Sequence, residues 1–135
     1  MRQFDTGATR DDEDGKLDYE GNLSPLCLEA FARYMHGHRL QSDGKLRDSD
    51  NWQNGMPLTV YMKSMWRHLV DLWFIHRGHK RYDAKTGQEI TAETACCSIW
   101  FNVQGYLFET LKAREIVRDT IKSYDDMRAE EQNLG

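Results

Sequence analysis

Hydrophobic residues recur at helical spacing along three stretches of the chain, and no segment of five or more residues alternates as a surface strand would. The clearest stretch runs from about Leu58 to Arg77, contains neither glycine nor proline, and is followed by Gly78. Its apolar stripe consists of Met62, Met65, Trp66, Leu69, Leu72, Trp73 and His76. Because apolar side chains cover most of its circumference, the pattern predicts a central helix packed against several neighbours.

Two further helices are predicted on either side of this one. Ser24 is a hydroxyl N-cap in front of a proline, and Gly37 can end the helix that follows. Thr91 is the predicted cap of a third helix, whose continuation over residues 113–132 has no glycine or proline. The charged run at 112–115 shifts the hydrophobic phase, so we expect a kink or a separate fourth helix there.

The predicted fold is therefore all-α, a small bundle of about four helices that a second subunit is expected to complete. Residues 1–22 are glycine-containing and acidic, which indicates an extended or partly disordered arm. Residues 23–112 form the helical core, and residues 113–135 a C-terminal helix and tail. Within the core, residues 38–57 lack any sustained period, and loops of this length are usually functional or disordered. The segment 83–87 is typical of a turn.

The net charge of −4 is unevenly distributed along the 135 residues. Residues 1–23 have a balance of −4 and residues 113–135 a balance of −2, whereas residues 24–112 are +2 and hold all five histidines and all four tryptophans. The overall composition argues against nucleic-acid binding, and no apolar run approaches the roughly 20 residues of a membrane span. The acidic N-terminus is unlike a signal peptide, and three cysteines fit a reducing compartment, so we expect a cytoplasmic location.

Three carboxylates stand where the helical pattern gives them possible chemical roles. His68 and Asp71 lie three residues apart, so they can bind one divalent cation or form a structural histidine–aspartate pair. Glu93 has two possible roles. It is either the first residue of a core-facing row on the third predicted helix, where its buried carboxylate needs a compensating partner, or an ordinary first-turn acid that interacts with the helix dipole. Glu29 precedes Arg33 by four residues and can form a surface pair with it.

The segment 43–52 concentrates acids, bases, an amide and an indole in ten residues. Lys45 and Arg47 can bind phosphate, Asn51 can hydrogen-bond a base edge, and Trp52 can stack on a nucleobase. The alternative is a solvated loop that one buried tryptophan holds in place. No Gly-Lys-Ser/Thr motif is present, which excludes P-loop chemistry.

Six short motifs follow one another between Thr6 and Lys112. They are Thr6-Gly-Ala-Thr-Arg10-Asp11, Gly15-Lys16, Asn51-Trp52-Gln-Asn-Gly55-Met-Pro57, Arg67-His68-Leu69, Asp83 to Gly87, and Leu107-Phe-Glu109. This series resembles the phage dATP/dGTP diphosphohydrolase family, which is similar to the MazG-like all-α nucleoside triphosphate pyrophosphohydrolases. The resemblance implies a hydrolase that uses Mg²⁺ or Mn²⁺ and converts a dNTP and water into dNMP and pyrophosphate, with purine dNTPs as the expected substrates.

The expected site residues follow from the helical pattern and the resemblance together. The nucleotide-binding residues are expected to be Arg10, Lys16, Lys45, Asn51, Trp52 and Arg67. The catalytic residues are expected to be His68, Asp71 and Glu93, and the metal ligands Glu29, Asp71, Asp83 and Glu93. The Glu-x-x-Glu pair of the MazG-like enzymes is absent from this sequence, and His68-x-x-Asp71 is its closest substitute.

The expected partner is a small-molecule nucleotide, with no nucleic acid or membrane involved, and the expected assembly is a homodimer or homotetramer. If the chain is phage-encoded, the compartment is the host cytoplasm. Two other functions are compatible with the sequence. One is a non-catalytic helical module of a phage that binds nucleotide or another protein, and the other is a dNTP triphosphohydrolase that releases triphosphate.

Overall fold

The computed structural model describes residues 1–134 and confirms the all-α fold class; Gly135, the last residue of the predicted C-terminal tail, lies outside the described residues. The strands are short, with β1 at Arg2–Gln3, β2 at Thr9–Arg10, β3 at Arg81–Tyr82 and β4 at Glu89–Ile90. The helices are α1 (Tyr19–Asn22), α2 (Pro25–Gly37), α3 (Leu58–His76) and α4 (Ala92–Leu134), and a 3₁₀ helix spans Asn51–Asn54.

The predicted starts of α2 and α4 are confirmed by their caps, and α3 begins at Leu58 as predicted. The Ser24 hydroxyl accepts a hydrogen bond from the Cys27 amide at 3.2 Å, and the Thr91 hydroxyl accepts one from the Thr94 amide at 3.1 Å. Helix α3 ends one residue before the predicted position, and Gly78 follows with φ of 87°, a conformation that favours glycine. These boundaries depend on hydrogen bonds between residues three or four apart, which is why the sequence predicts them well.

Helix α4 runs without interruption for 43 residues, so of the two alternatives expected at 112–115, a kink or a separate fourth helix, the separate helix is wrong. The residues at 112–115 are lysine, alanine, arginine and glutamate, which are among the strongest helix formers. A shift in the phase of the side chains leaves the backbone hydrogen bonds of the helix intact. The fourth helix of the fold is instead the single turn α1.

The N-terminal arm has more local order than an extended segment. Strands β1 and β2 pair antiparallel, with Arg2 opposite Arg10. The Arg2 guanidinium lies 2.7 Å from the Glu13 carboxylate, and the Asp18 carboxylate caps α1 by accepting from the Gly21 amide at 2.8 Å. Short-range contacts between charged and turn-forming residues therefore order this acidic stretch.

The core lies where α3 and α2 pack against α4. The Tyr61 ring of α3 is 1% exposed and rests on Gly105, where any side chain on α4 would collide with it. On the α2 side, the rings of Phe31 and Trp100 stack with centroids 4.6 Å apart. Buried Asn102 donates a hydrogen bond from Nδ2 to the Ser98 carbonyl at 2.8 Å, so this polar side chain is satisfied within α4.

Helix α3 is not surrounded as predicted. It packs chiefly against α4, and the opposite part of its apolar stripe faces solvent in the single chain, with Trp66 61% and Trp73 59% exposed. The prediction of several neighbours is therefore wrong for one chain, because α2 packs on α4 rather than on α3. Within residues 1–134, no helix is both long and apolar enough to cross a membrane.

Candidate functional site

The loop between α2 and α3 opens with a tight turn that brings two arginines together. The Gln41 amide donates to the Lys45 carbonyl at 2.8 Å, and the Arg47 amide donates to the Arg39 carbonyl at the same distance. Gly44 has φ of 84°, which permits the reversal. The Arg39 side chain then crosses the turn, because its Nε donates to the Arg47 carbonyl at 2.8 Å.

These arginines border a cleft of about 290 Å³ between the loop, α2 and α4. Its lining includes Tyr34, Arg39, Arg47, Asp48, Asn51 and Trp52. Two guanidinium groups against a single carboxylate give the cleft an excess of positive charge. The structure thus brings the predicted residues Asn51 and Trp52 to one site, whereas Lys45 lies in the turn and does not line the cleft.

The 3₁₀ helix that carries Trp52 is anchored on α4. The Trp52 ring meets the Phe108 ring edge to face, with centroids 4.9 Å apart. Gly55 has φ of 82° and lies so close to the Glu109 carboxylate that a side chain at this position would overlap it. Two motifs that are far apart in the sequence, at 51–57 and 107–109, are therefore in direct contact.

Tyr34 and His38 form an aromatic wall of the cleft. The Tyr34 hydroxyl lies 3.0 Å from the Ser98 hydroxyl, and the ring centroids of Tyr34 and His38 are 4.2 Å apart. Burial raises the pKa of the Tyr34 phenol, although the hydrogen bond with Ser98 opposes this effect. The phenol is consequently neutral at physiological pH and keeps its proton for hydrogen bonding.

A second hollow, a groove of about 850 Å³ between α3 and the β3–β4 hairpin, collects four predicted residues. They are Arg67, His68, Asp71 and Asp83. The Asp71 carboxylate accepts from Arg81 Nε at 3.1 Å, and its other oxygen lies 3.9 Å from His68 Nδ1. With only 15% of its side chain exposed, Asp71 is a largely buried partner of Arg81 and His68, as in the structural interpretation of the pair.

Asp83 stabilises the turn in which it lies. Its Oδ1 accepts hydrogen bonds from the amides of Lys85 at 2.8 Å and Thr86 at 2.9 Å, which confirms the predicted turn at 83–87. These amide donors lower the pKa of the Asp83 carboxyl by favouring its charged form.

The remaining predicted residues lie away from both hollows. Glu29 and Arg33 form an exposed pair at 2.8 Å, so the surface-pair alternative is confirmed. Glu93 is exposed in the first turn of α4, where an acid interacts favourably with the helix dipole. Arg10 and Lys16 border a separate hollow of the N-terminal arm, together with Arg2, Glu13, Leu17 and Asp18.

The predicted metal ligands do not fit a cation site within the described chain. Among residues 1–134, no three histidine, cysteine, aspartate or glutamate side chains are grouped to hold a metal ion. Asp71 and Asp83 share the groove, but Glu29 and Glu93 do not line it. The carboxylates of Asp71, Asp83 and Glu29 already accept hydrogen bonds from an arginine or from backbone amides.

His68 is expected to make the folded protein less stable in acid. Burial lowers the pKa of His68 below its ordinary 6.5, and this effect exceeds the attraction of Asp71, whose carboxylate is paired with Arg81. Between the lowered pKa and about 6.5 the unfolded chain binds more protons than the folded one, so the free energy of unfolding decreases as the pH falls through this window. Above it, His68 is neutral in both states and contributes no pH dependence.

The test of His68 is urea unfolding measured in steps from pH 5 to pH 7.5. His68→Gln is expected to flatten the dependence of the unfolding free energy on pH, whereas His36→Gln, on the exposed end of α2, should retain it. An unchanged slope in His68→Gln would show that the acid sensitivity arises elsewhere.

Among the residues of the cleft that sequence reasoning missed are Tyr34, His38 and Arg39. The signal for Arg39 was present, since it and Arg47 stand on opposite sides of a glycine-containing turn. Tyr34 and His38 gave no such signal, because their contribution depends on how the loop folds back over α2.

Comparison with protein-family models, with curated proteins and with solved structures found no match to this chain. The functional assignment therefore depends on the order of the sequence motifs and on the geometry of the cleft and the groove.

Proposed function

We propose that this protein is a (deoxy)nucleoside triphosphate pyrophosphohydrolase that binds a purine dNTP in the cleft. The observation that carries the proposal is the presence of Arg39, Arg47, Asn51 and Trp52 around one hollow. Guanidinium groups bind phosphate oxygens through paired N–H donors, an amide side chain hydrogen-bonds a base edge, and an indole stacks on a nucleobase. Together these groups complement the phosphates and the base of a nucleotide.

The contact between distant motifs supports the same proposal. Trp52 and Gly55 belong to the loop motif that carries the resemblance, and they lie against Phe108 and Glu109 of the α4 motif. The α4 motif therefore helps to position the loop motif, whose Asn51 and Trp52 line the cleft.

Helix α3, which borders the groove, packs against α4, which contributes Phe101 to the cleft. Phe101, which lines the cleft, lies next to Tyr61 of α3, with ring centroids 6.3 Å apart. Ser64, which lines the groove, follows Tyr61 by three residues on the same helix. In this proposal Asn51 and Trp52 hold the base in the cleft, Arg39 and Arg47 hold the phosphates, and the α-phosphorus is oriented towards Arg67 and His68 of α3. Water attacks the α-phosphorus, the bond to the bridging oxygen breaks, and pyrophosphate leaves.

His68 is the proposed general base of this step. Its lowered pKa leaves the imidazole neutral at physiological pH, so it is able to accept the proton of the attacking water. In this proposal Mg²⁺ or Mn²⁺ accompanies the triphosphate, since the described carboxylates do not fit a cation site of their own. Such an ion neutralises phosphate charge when bound.

A non-catalytic nucleotide-binding module is the second candidate function. It is favoured by the engagement of the Asp71, Asp83 and Glu29 carboxylates, which leaves the described chain without an obvious acidic cluster for metal-assisted hydrolysis. It shares the cleft with the first proposal and differs from it only in turnover.

The two candidates are separated by incubating the protein with each dNTP in Mg²⁺ or Mn²⁺ and resolving the products by ion exchange. We expect dNMP and pyrophosphate from purine dNTPs, with weaker binding in Asn51→Ala and unchanged behaviour in the matched control Asn133→Ala near the end of α4. Binding without turnover favours the module, and nucleoside with triphosphate favours a triphosphohydrolase. The absence of both binding and turnover contradicts the proposal.

A further inference from the structure

The second half of α4 has no tertiary partner within the described chain. Every residue from 113 to 134, here called the distal segment, is exposed, although the segment continues the helix for about 33 Å. Val117, Ile121 and Tyr124 follow one another at i, i+4 and i+7 and are each more than half exposed. Helices obtain most of their stability by packing an apolar face, so this stripe needs a partner.

The surface area of the chain is large enough for that partner to form an extensive interface. A folded monomeric protein of 15.9 kDa exposes about 7,400 Å². This chain exposes 11542 Å². Obligate homodimers bury on the order of 2,000–5,000 Å² in total over both subunits. The excess of roughly 4,000 Å² per chain therefore provides the area that a stable dimer needs.

The charges of the distal segment are complementary to those of its own reversed copy. Residues 113–122 have a balance of +1, with Arg114, Arg118 and Lys122 against Glu115 and Asp119. Residues 123–134 have a balance of −3, with Arg128 against Asp125, Asp126, Glu130 and Glu131. The ion pairs within the segment are local, as between Arg118 and Glu115 at 3.0 Å, and leave this polarity in place.

We propose that the distal segments of two copies of this chain pair antiparallel about a two-fold axis. In this arrangement the basic half of each segment faces the acidic half of the other, and the apolar stripes meet between them. A parallel pair would place the acidic halves of the two segments, each with a net charge of −3, against each other, and their repulsion would oppose association. A second copy is the occupant because one segment contains both members of the complementary pair, as a two-fold interface requires.

The register that the stripe favours places Ile121 against Tyr124 of the partner subunit, so that the axis passes between the two positions. Val117 and its own copy would then be separated along the helix by about 16 Å. Antiparallel and parallel arrangements consequently differ in which single positions come within reach of each other.

Sedimentation velocity on the full chain tests the pairing. The wild type is expected to sediment with a mass greater than the 15.9 kDa of one chain. Ile121→Glu should reduce the mass of the assembly about twofold, whereas Ser123→Glu, which adds the same charge on the other side of the helix, should not. A monomeric wild type, or an Ile121→Glu assembly of unchanged mass, overturns the proposal.

Charge reversal separates a lost interface from a misfolded chain. One variant converts Arg114, Arg118 and Lys122 to glutamate, and the other converts Asp125, Asp126, Glu130 and Glu131 to lysine. Each should fail to pair by itself, and an equimolar mixture should recover the assembly. Recovery supports the pairing, and a mixture that stays dissociated contradicts it.

Cross-linking with a short bismaleimide decides the orientation in a Cys27→Ser, Cys96→Ser background. A mixture of Ile121→Cys and Tyr124→Cys chains should be linked, and Val117→Cys by itself should not. Efficient linking of Val117→Cys to its own copy would demonstrate a parallel pair and overturn the antiparallel arrangement.

Discussion

Gly105→Ala is expected to lower the free energy of unfolding by about 2 kcal/mol, although the same exchange normally stabilises a helix. Gly105 lies in the interior of α4 against the buried Tyr61 ring, and an added methyl group would overlap two carbons of that ring. The ring has little freedom to withdraw, because its other neighbours include the Phe101 side chain. Urea unfolding monitored by circular dichroism measures the effect as a lower midpoint at an unchanged slope.

Gly37→Ala is the matched control for this exchange. Gly37 ends α2, and nothing lies within 4 Å of the position that its methyl group would occupy. Removing a glycine from a helix gains up to about 1 kcal/mol, so this variant should be as stable as the wild type or more so. A Gly105→Ala protein that behaves like Gly37→Ala would be incompatible with the described contact between α3 and α4.

Arg47→Ala is expected to weaken the binding of dATP and dGTP by about 10- to 100-fold. Arg47 lines the positively charged cleft, and a hydrogen bond to a charged group contributes about 1.5–3 kcal/mol, which corresponds to that range of affinity. Isothermal titration calorimetry at fixed salt, without added divalent cation, measures the loss separately from any turnover.

Arg33→Ala removes the same charge from a site that the proposal does not use. Arg33 is paired with Glu29 on the surface, and 78% of its side chain is exposed. We expect its nucleotide affinity to match that of the wild type. Equal losses in the two variants would mean that the nucleotide responds to net charge, and the cleft would then not be the binding site.

The candidate site was predicted in part, and the reason differs from residue to residue. Asn51 and Trp52 belong to a dense polar segment, so their chemistry is visible in the sequence, and the structure brings both to the cleft. Asp71 is different, because the cation that engages it is Arg81, ten residues away across a helix end and a turn. No spacing rule within a helix predicts a pair that a following hairpin creates.

What the sequence determined by itself is the local structure. The caps at Ser24 and Thr91 and the turn begun by Asp83 depend on hydrogen bonds within four residues, and each is found where the sequence predicts it. The continuity of α4 belongs here too, since the helix propensity of residues 112–115 already favours one helix over the separate fourth helix.

Only the tertiary structure decided which faces of these helices are covered. Periodicity shows that α3 has a wide apolar stripe, but it does not show that α4 covers the side of Tyr61 while Trp66 and Trp73 face solvent. The cleft has the same origin, because Arg39, Asn51 and Tyr34 meet only when the loop folds over α2 and α4. Burial results from contacts between segments that are distant in the chain. The sequence pattern shows which face of a segment is apolar, but it does not show which other segment packs against that face.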